Sequence, residues 1–133
     1  MIPLRKGDEQ ALTVDLTESM VQAFTEWSGD HAPLHTDDDF SRRAGFSKRI
    51  VHGAVLFSLI SRFVGMHFPG PQSLWLKSEV KFHHPCYAPN TLTITGRVVS
   101  VSEAIASVML DIDITNSDGL KIVSARNYHK IME

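Results

Sequence analysis

An aspartate and a histidine lie five residues apart in segment 27–35, on either side of a proline. The carboxylate of Asp30 and the imidazole of His35 form an acid–base pair, and a turn that holds both could move protons to and from one water molecule. The same residues also have a structural interpretation, in which Asp30 caps the turn after Gly29 and His35 is a loop histidine with satisfied hydrogen bonds. The spacing by itself leaves both interpretations open.

Gly53 is a second candidate, because it opens the most apolar stretch of the chain. If a helix begins there, its backbone N–H lies at the positive end of the helix dipole, and the missing side chain lets a carbonyl oxygen approach closely. The alternative is that Gly53 only eases helix packing. These two interpretations are equally compatible with the residue taken alone.

Other chemistries find less support in the residues. Cys86 is the single cysteine of the chain, so an internal disulfide is excluded. It follows a proline in a turn, which argues against its acting as a nucleophile. The histidines other than His35 show neither helical i, i+4 pairing among themselves nor clustering with cysteine, so we expect no metal and no cofactor. They are His31, His52, His67, His83, His84 and His129.

The composition limits the class of protein. At 133 residues and 43% hydrophobic content, the chain fits one domain, residues 1–133, with one core. A net charge of −2 and a pI near 6.4 argue against nucleic acid or an anionic membrane as a partner. The longest apolar run is broken by polar residues and the N-terminus has no signal-like apolar core, so we expect a cytoplasmic protein.

Periodicity predicts an α+β layout. Residues 9–16 alternate as a strand, Thr17 can N-cap a helix that Gly29 ends, and Thr36 can N-cap a second, short helix. Residues 52–68 are apolar around nearly the whole helical circumference, which predicts a helix buried on all sides. Four further strands are expected at 73–82, 91–101, 105–115 and 120–132, and the sheet they form would wrap that helix.

The segment from Phe24 to His35, with the Ile-Val-His-Gly run at 50–53, resembles the signature of the MaoC-like, R-specific enoyl-CoA hydratases, roughly S-G-D-x-N-P-L-H. The chain departs from it at Ala32, where the family usually has Asn. Segments 69–82 and 85–91 also look like the family's first sheet strands and the turn after them. The matching motif residues are Ser28, Gly29, Asp30, Pro33, Leu34 and His35.

The resemblance implies a hot-dog fold, in which a curved antiparallel sheet wraps a central helix and two subunits form a homodimer. It also implies reversible hydration of trans-2-enoyl-CoA to (R)-3-hydroxyacyl-CoA, with Asp30 as base and His35 as acid. The substrate would be a thioester of CoA or of acyl carrier protein. Gly53 would bind the thioester oxygen with support from Ser61, and His52 would shape the site without titrating.

Two other functions remain open at this point. A hot-dog thioesterase would share the fold and hydrolyse the thioester instead, although the motif favours hydration. A non-catalytic module that binds acyl thioesters is the third possibility, and its support is Ala32, since alanine cannot hold a water or orient the aspartate as an amide can.

Overall fold

The computed structural model describes residues 2–132 and contains one antiparallel sheet of five strands, in the order β1-β3-β4-β5-β2. The predicted strands at 9–16 and 73–82 are confirmed, and the other three differ from prediction by one or two residues at their ends. The α+β fold class is therefore confirmed. The strands are β1 (Glu9–Leu16), β2 (Ser73–Phe82), β3 (Asn90–Ser102), β4 (Ser107–Thr115) and β5 (Lys121–Ile131).

Within residues 2–132, four helices accompany the sheet, and the longest of them packs against its inner face. At Gly96 on β3, an added Cβ would lie 2.7 Å from the ring of Phe63, which shows how closely sheet and helix approach. No helix in the described part of the chain is long and apolar enough to cross a membrane. The helices are α1 (Glu18–Ser28), α2 (Pro33–Thr36), α3 (Asp38–Arg43) and α4 (Gly53–Met66).

The expectation that the apolar helix is buried on all sides is wrong. One face of α4 is buried, while Ser61 and Arg62 are exposed and Met66 is 67% exposed. A single sheet can cover only one side of a helix, so the apolar residues on the other side of α4 remain open in this chain. The buried face consists of Val55, Leu56, Leu59, Ile60, Phe63 and Val64.

The predictions for the ends of the short helices are correct in part. Thr17 caps α1 by accepting a hydrogen bond from the N–H of Met20 at 3.2 Å, and Gly29 ends that helix with φ of 75°. Thr36, however, is the last residue of α2 and not the cap of α3, because its hydroxyl donates to backbone carbonyls within its own turn. The side chain of Asp37 caps α3 instead.

The outer face of the sheet carries charges that alternate from strand to strand. Arg97, Asp111, Arg126 and Glu79 are successive cross-strand neighbours from β3 to β2. The two hydrogen bonds between Arg126 and Asp111, at 2.8 and 3.0 Å, lower the pKa of Asp111. Such exposed pairs add little stability, but a face this charged stays in water. The side of the sheet that faces the helices is therefore the place for an apolar site.

Candidate active site

The loop after α1 holds Asp30 in a local turn. The N–H of Asp30 donates to Ser28 Oγ at 3.1 Å, and its Oδ1 accepts a hydrogen bond from the N–H of Ala32 at 3.2 Å. The residue as a whole is exposed to solvent. Asp30 thus makes the turn contact expected of a structural aspartate, while one carboxylate oxygen stays free to accept a proton.

His35 lies in α2, half-buried, with its ring fixed by a backbone carbonyl. Its Nδ1 is 2.8 Å from the carbonyl oxygen of Ile50, and a carbonyl can only accept, so Nδ1 carries a hydrogen. Nε2 is then the nitrogen left to take a proton and to give it up again. The N–H of Ile50 donates in turn to the oxygen of Leu34 at 2.9 Å, which ties this segment to α2.

His52 connects the two candidate residues. It is only 1% exposed, and its Nε2 donates to the backbone oxygen of Asp30 at 3.0 Å. Its ring stacks on that of His35, with the centroids 4.1 Å apart, and the ring of Phe24 meets it edge-on at 5.0 Å. The Nδ1 atom of His52 is buried without a hydrogen-bond partner within the described residues. One buried ring therefore positions both the loop of Asp30 and the ring of His35.

Gly53 is the first residue of α4, where backbone N–H groups have no partner within the helix. A Cβ at this position would lie 3.0 Å from Cζ of Phe82, so the place leaves no room for a side chain unless that ring moves. Gly53 and His35 both line one open groove of about 420 Å³. Apolar side chains form much of its wall, among them Phe46, Val51, Leu56, Phe82 and Cys86.

His35 thus lines a largely apolar groove with one ring nitrogen left to exchange a proton. Gly53, which has no side chain at the N-terminus of α4, lines the same groove. The family model of the MaoC-like domain matches residues 4–115 of the sequence. The chain belongs to the MaoC-like family. This confirms the resemblance that the motif indicated.

Similar proteins agree with this assignment. The (R)-specific enoyl-CoA hydratase of Aeromonas caviae is 32% identical over 100 residues, which are 75% of each chain. The mitochondrial 3-hydroxyacyl-[acyl-carrier-protein] dehydratase of Arabidopsis thaliana is 32% identical over 103 residues, 77% of this chain and 57% of that protein. The match therefore spans little more than half of the plant protein.

Solved structures confirm the hot-dog fold. The structure of an (R)-hydratase from A. caviae involved in PHA biosynthesis superposes with a TM-score of 0.89 at 29% identity, covering 97% of this chain and 98% of the other. An unliganded R-hydratase from Pseudomonas aeruginosa also gives 0.89, at 25% identity, over 98% of this chain and 83% of the other.

Not every residue singled out in the sequence lies at the groove of this MaoC-like chain. Asp30 and His52 do not line it, although His52 joins the Asp30 loop to His35. Ser61 lies two turns beyond Gly53, exposed on the outer side of α4 and outside the groove. The structure therefore brings His35 and Gly53 to one surface and leaves Ser61 apart from them.

The groove also contains residues that the sequence did not reveal as part of the site. Phe46 and His84 belong to no motif, and only the folding of their loops toward α4 places them there. Cys86 also lines the groove, and burial raises the pKa of its thiol to about 11, so it stays protonated at neutral pH. Within residues 2–132, no three His, Cys, Asp or Glu side chains are grouped so that they could hold a metal ion.

Proposed function

We propose that this protein adds water reversibly to trans-2-enoyl-CoA to give (R)-3-hydroxyacyl-CoA. The observation that carries the proposal is the groove that His35 and Gly53 share, together with the buried His52, which contacts both the ring of His35 and the backbone of Asp30. Relatives named as R-specific enoyl-CoA hydratases support the same reaction. Acyl carrier protein in place of CoA is a second possible carrier, since one relative is named for it.

Asp30 and His35 divide the proton transfers between them. As water attacks C3 of the enoyl group, the carboxylate of Asp30 takes a proton from it, while the protonated ring of His35 gives a proton from Nε2 to C2. The proton gained by Asp30 returns to His35 before the next turnover. The bond from Nδ1 of His35 to the Ile50 oxygen persists throughout and keeps Nε2 directed at the substrate.

Gly53 stabilises the negative charge that collects on the thioester oxygen. Its N–H at the start of α4 donates to that oxygen, and the helix dipole adds to the effect. Ser61 would support this group according to the family motif. It lies outside the groove of the single chain, so this role requires a second subunit or the substrate to cover the outer side of α4.

Sheet edges supply the reason to propose a homodimer. β2 is an edge strand, and Leu74 and Leu76 on it are 48% and 59% exposed. An open edge with exposed apolar side chains is a site for pairing with another strand, and a second copy of this chain offers the same edge. The cytoplasmic location expected from the sequence stays a prediction.

One experiment separates the three functions. Crotonyl-CoA is mixed with the protein, and the absorbance of the enoyl thioester and the release of free thiol are followed together. A hydratase lowers the absorbance without releasing thiol, whereas a thioesterase releases thiol. Unchanged substrate with measurable binding would instead indicate a non-catalytic module and overturn the proposal. Asp30→Asn serves as the control for catalysis by contaminants.

A further inference from the structure

A second, smaller cavity lies behind His35, on the side away from the groove. It measures about 60 Å³ and sits between α1, α2 and the segment that leads into α4. Three residues, His35, Ile50 and Val51, line both this cavity and the groove, so they form the wall between the two spaces. The proton transfers proposed for Asp30 and His35 leave this cavity without a role.

The cavity is suited to water. An ordered water needs roughly 10–15 Å³ of cavity volume and two to four polar partners. Thr25 donates its hydroxyl to the Val21 oxygen, and its own oxygen lies 3.5 Å from Nε2 of His52, while Gln22 donates its amide to Glu26. One oxygen lone pair of Thr25 and the side-chain oxygen of Gln22 are thus left to accept from a water. Polar groups on the lining come from Glu18, Gln22, Thr25, Thr36 and Arg49.

The outer end of the cavity is bordered by an exposed ion pair. Arg49 Nη2 lies 3.5 Å from Glu18 Oε1, and both side chains are about half exposed. Exposed pairs of this kind are weak and open readily, so they do not prevent exchange with bulk water. The lining of the cavity therefore includes both a charged pair in contact with solvent and the half-buried His35.

Hydration consumes one water in every turnover. An acyl chain lying in the groove would cover its open side, from which water would otherwise enter. We propose that the cavity behind His35 stores this water and supplies it to the site past the His35 ring. This rests on the proposed hydration. Val21, Thr25 and the Glu18–Arg49 pair thereby become positioning groups for water, not catalytic residues.

The first test fills the cavity. Val21→Met adds side-chain volume inside it, and Ala23→Met places the same side chain on the exposed side of α1. With crotonyl-CoA we expect Val21→Met to lower kcat by about tenfold or more with KM within about twofold, since water positioning and not substrate binding is lost. Ala23→Met should keep both values. Unchanged kcat in Val21→Met, with a crystal structure showing the new side chain inside the cavity, overturns the proposal.

The second test changes polarity at nearly constant volume. Thr25→Val removes the hydroxyl and Thr25→Ser keeps it, so kcat should fall in the first variant and be retained in the second. Equal loss in both variants would mean that Thr25 acts through packing and would contradict the proposal. These variants also decide the matter if Val21→Met fails to fold.

The third test does not depend on turnover. Butyryl-CoA has no double bond to hydrate, and with it bound, nuclear Overhauser effects between water and the amide protons of Thr36 and Val51 should reveal long-lived water in the cavity. Val21→Met should remove these signals and Ala23→Met should keep them. Their absence in the wild-type protein overturns the proposal. If the signals are present but the wild-type protein leaves crotonyl-CoA unchanged, the hydratase function fails, and the supply role fails with it.

Discussion

The imidazole of His52 stacks on that of His35, with ring centroids 4.1 Å apart and an angle of 26° between the planes. The same buried ring donates to the backbone oxygen of Asp30. Asp30 and His35, both distant from His52 in sequence, thus depend on it for their placement relative to each other. Because His52 is buried and His35 is additionally bound to Ile50, the proton-carrying nitrogen of His35 has little freedom to turn away.

Removal of either proton carrier should abolish most of the hydration. Asp30→Asn retains an oxygen that can accept from the Ala32 N–H, and His35→Ala removes no core side chain, so both variants should fold. We expect kcat on crotonyl-CoA to fall about 10²- to 10⁴-fold in each. The double variant should be scarcely slower than the worse single one, because the two groups act as a unit.

Enoyl absorbance gives the rate and circular dichroism melting checks the fold. Asp39→Asn, an exposed aspartate on α3, is the matched control and should keep wild-type turnover. Near-normal turnover by Asp30→Asn or His35→Ala would rule out the acid–base pair.

Replacing Ala32 by the family's Asn should raise kcat without a comparable change in KM. Ala32 is the N-cap of α2 and has no capping side chain, and its N–H already contacts Asp30. An amide there could cap α2, adding about 1 kcal/mol of stability, and could hold water beside the carboxylate. Steady-state kinetics and thermal melting measure the two effects separately. A lower kcat in Ala32→Asn would show that this site works without that amide.

A methyl group at position 53 should hinder the substrate. In Gly53→Ala the new Cβ would crowd both the Phe82 ring and the approaching thioester oxygen. We expect kcat/KM to fall about 10²-fold, the scale of one lost oxyanion donor. The added variant Phe82→Leu relieves the ring contact and should not restore activity. Full recovery in Gly53→Ala/Phe82→Leu would instead assign Gly53 to packing alone.

Acid should destabilise the protein through His129. This ring is buried, with Nε2 3.3 Å from the Asn127 amide, and burial lowers its pKa from 6.5 to about 4. Between those values the unfolded chain binds a proton that the folded protein does not. The free energy of unfolding should therefore fall as pH drops from 6.5 toward 4, by at most about 1.4 kcal/mol per pH unit from this group.

Urea unfolding at several pH values measures this slope. His129→Phe should be less stable at pH 7, because the Asn127 amide loses its acceptor, but it should show a smaller decline toward acid. His84→Gln changes an exposed histidine and serves as the control, with the wild-type slope expected. An identical slope in His129→Phe would remove His129 as the cause.

The protein should sediment as a homodimer at assay concentration. Leu76→Lys places a charge on the exposed β2 edge and should promote dissociation, with loss of activity if the site needs both subunits. Ile105→Lys alters another exposed apolar residue, in the turn between β3 and β4, and should leave the dimer intact. Sedimentation equilibrium decides the point. A stable, fully active monomer would contradict the homodimer as the active form.

The sequence by itself determined those features of the fold that interactions between neighbouring residues control. Alternation predicted the strands 9–16 and 73–82 to the residue, and Thr17 and Gly29 predicted both ends of α1. The motif around Asp30 and His35 predicted the family. All of these depend on residues close together in the chain, where backbone geometry and capping decide the structure.

Only the tertiary structure decided which faces are covered and which residues meet. The apolar pattern of α4 did not reveal that one of its sides stays open, because burial depends on the number of layers that pack on a helix. His129 alternates in β5 like any strand residue, and only pairing with its neighbours buries it. The contact of His52 with Asp30, and the wall that His35 forms between groove and cavity, join segments separated in sequence. Such contacts arise from packing, which no local pattern records.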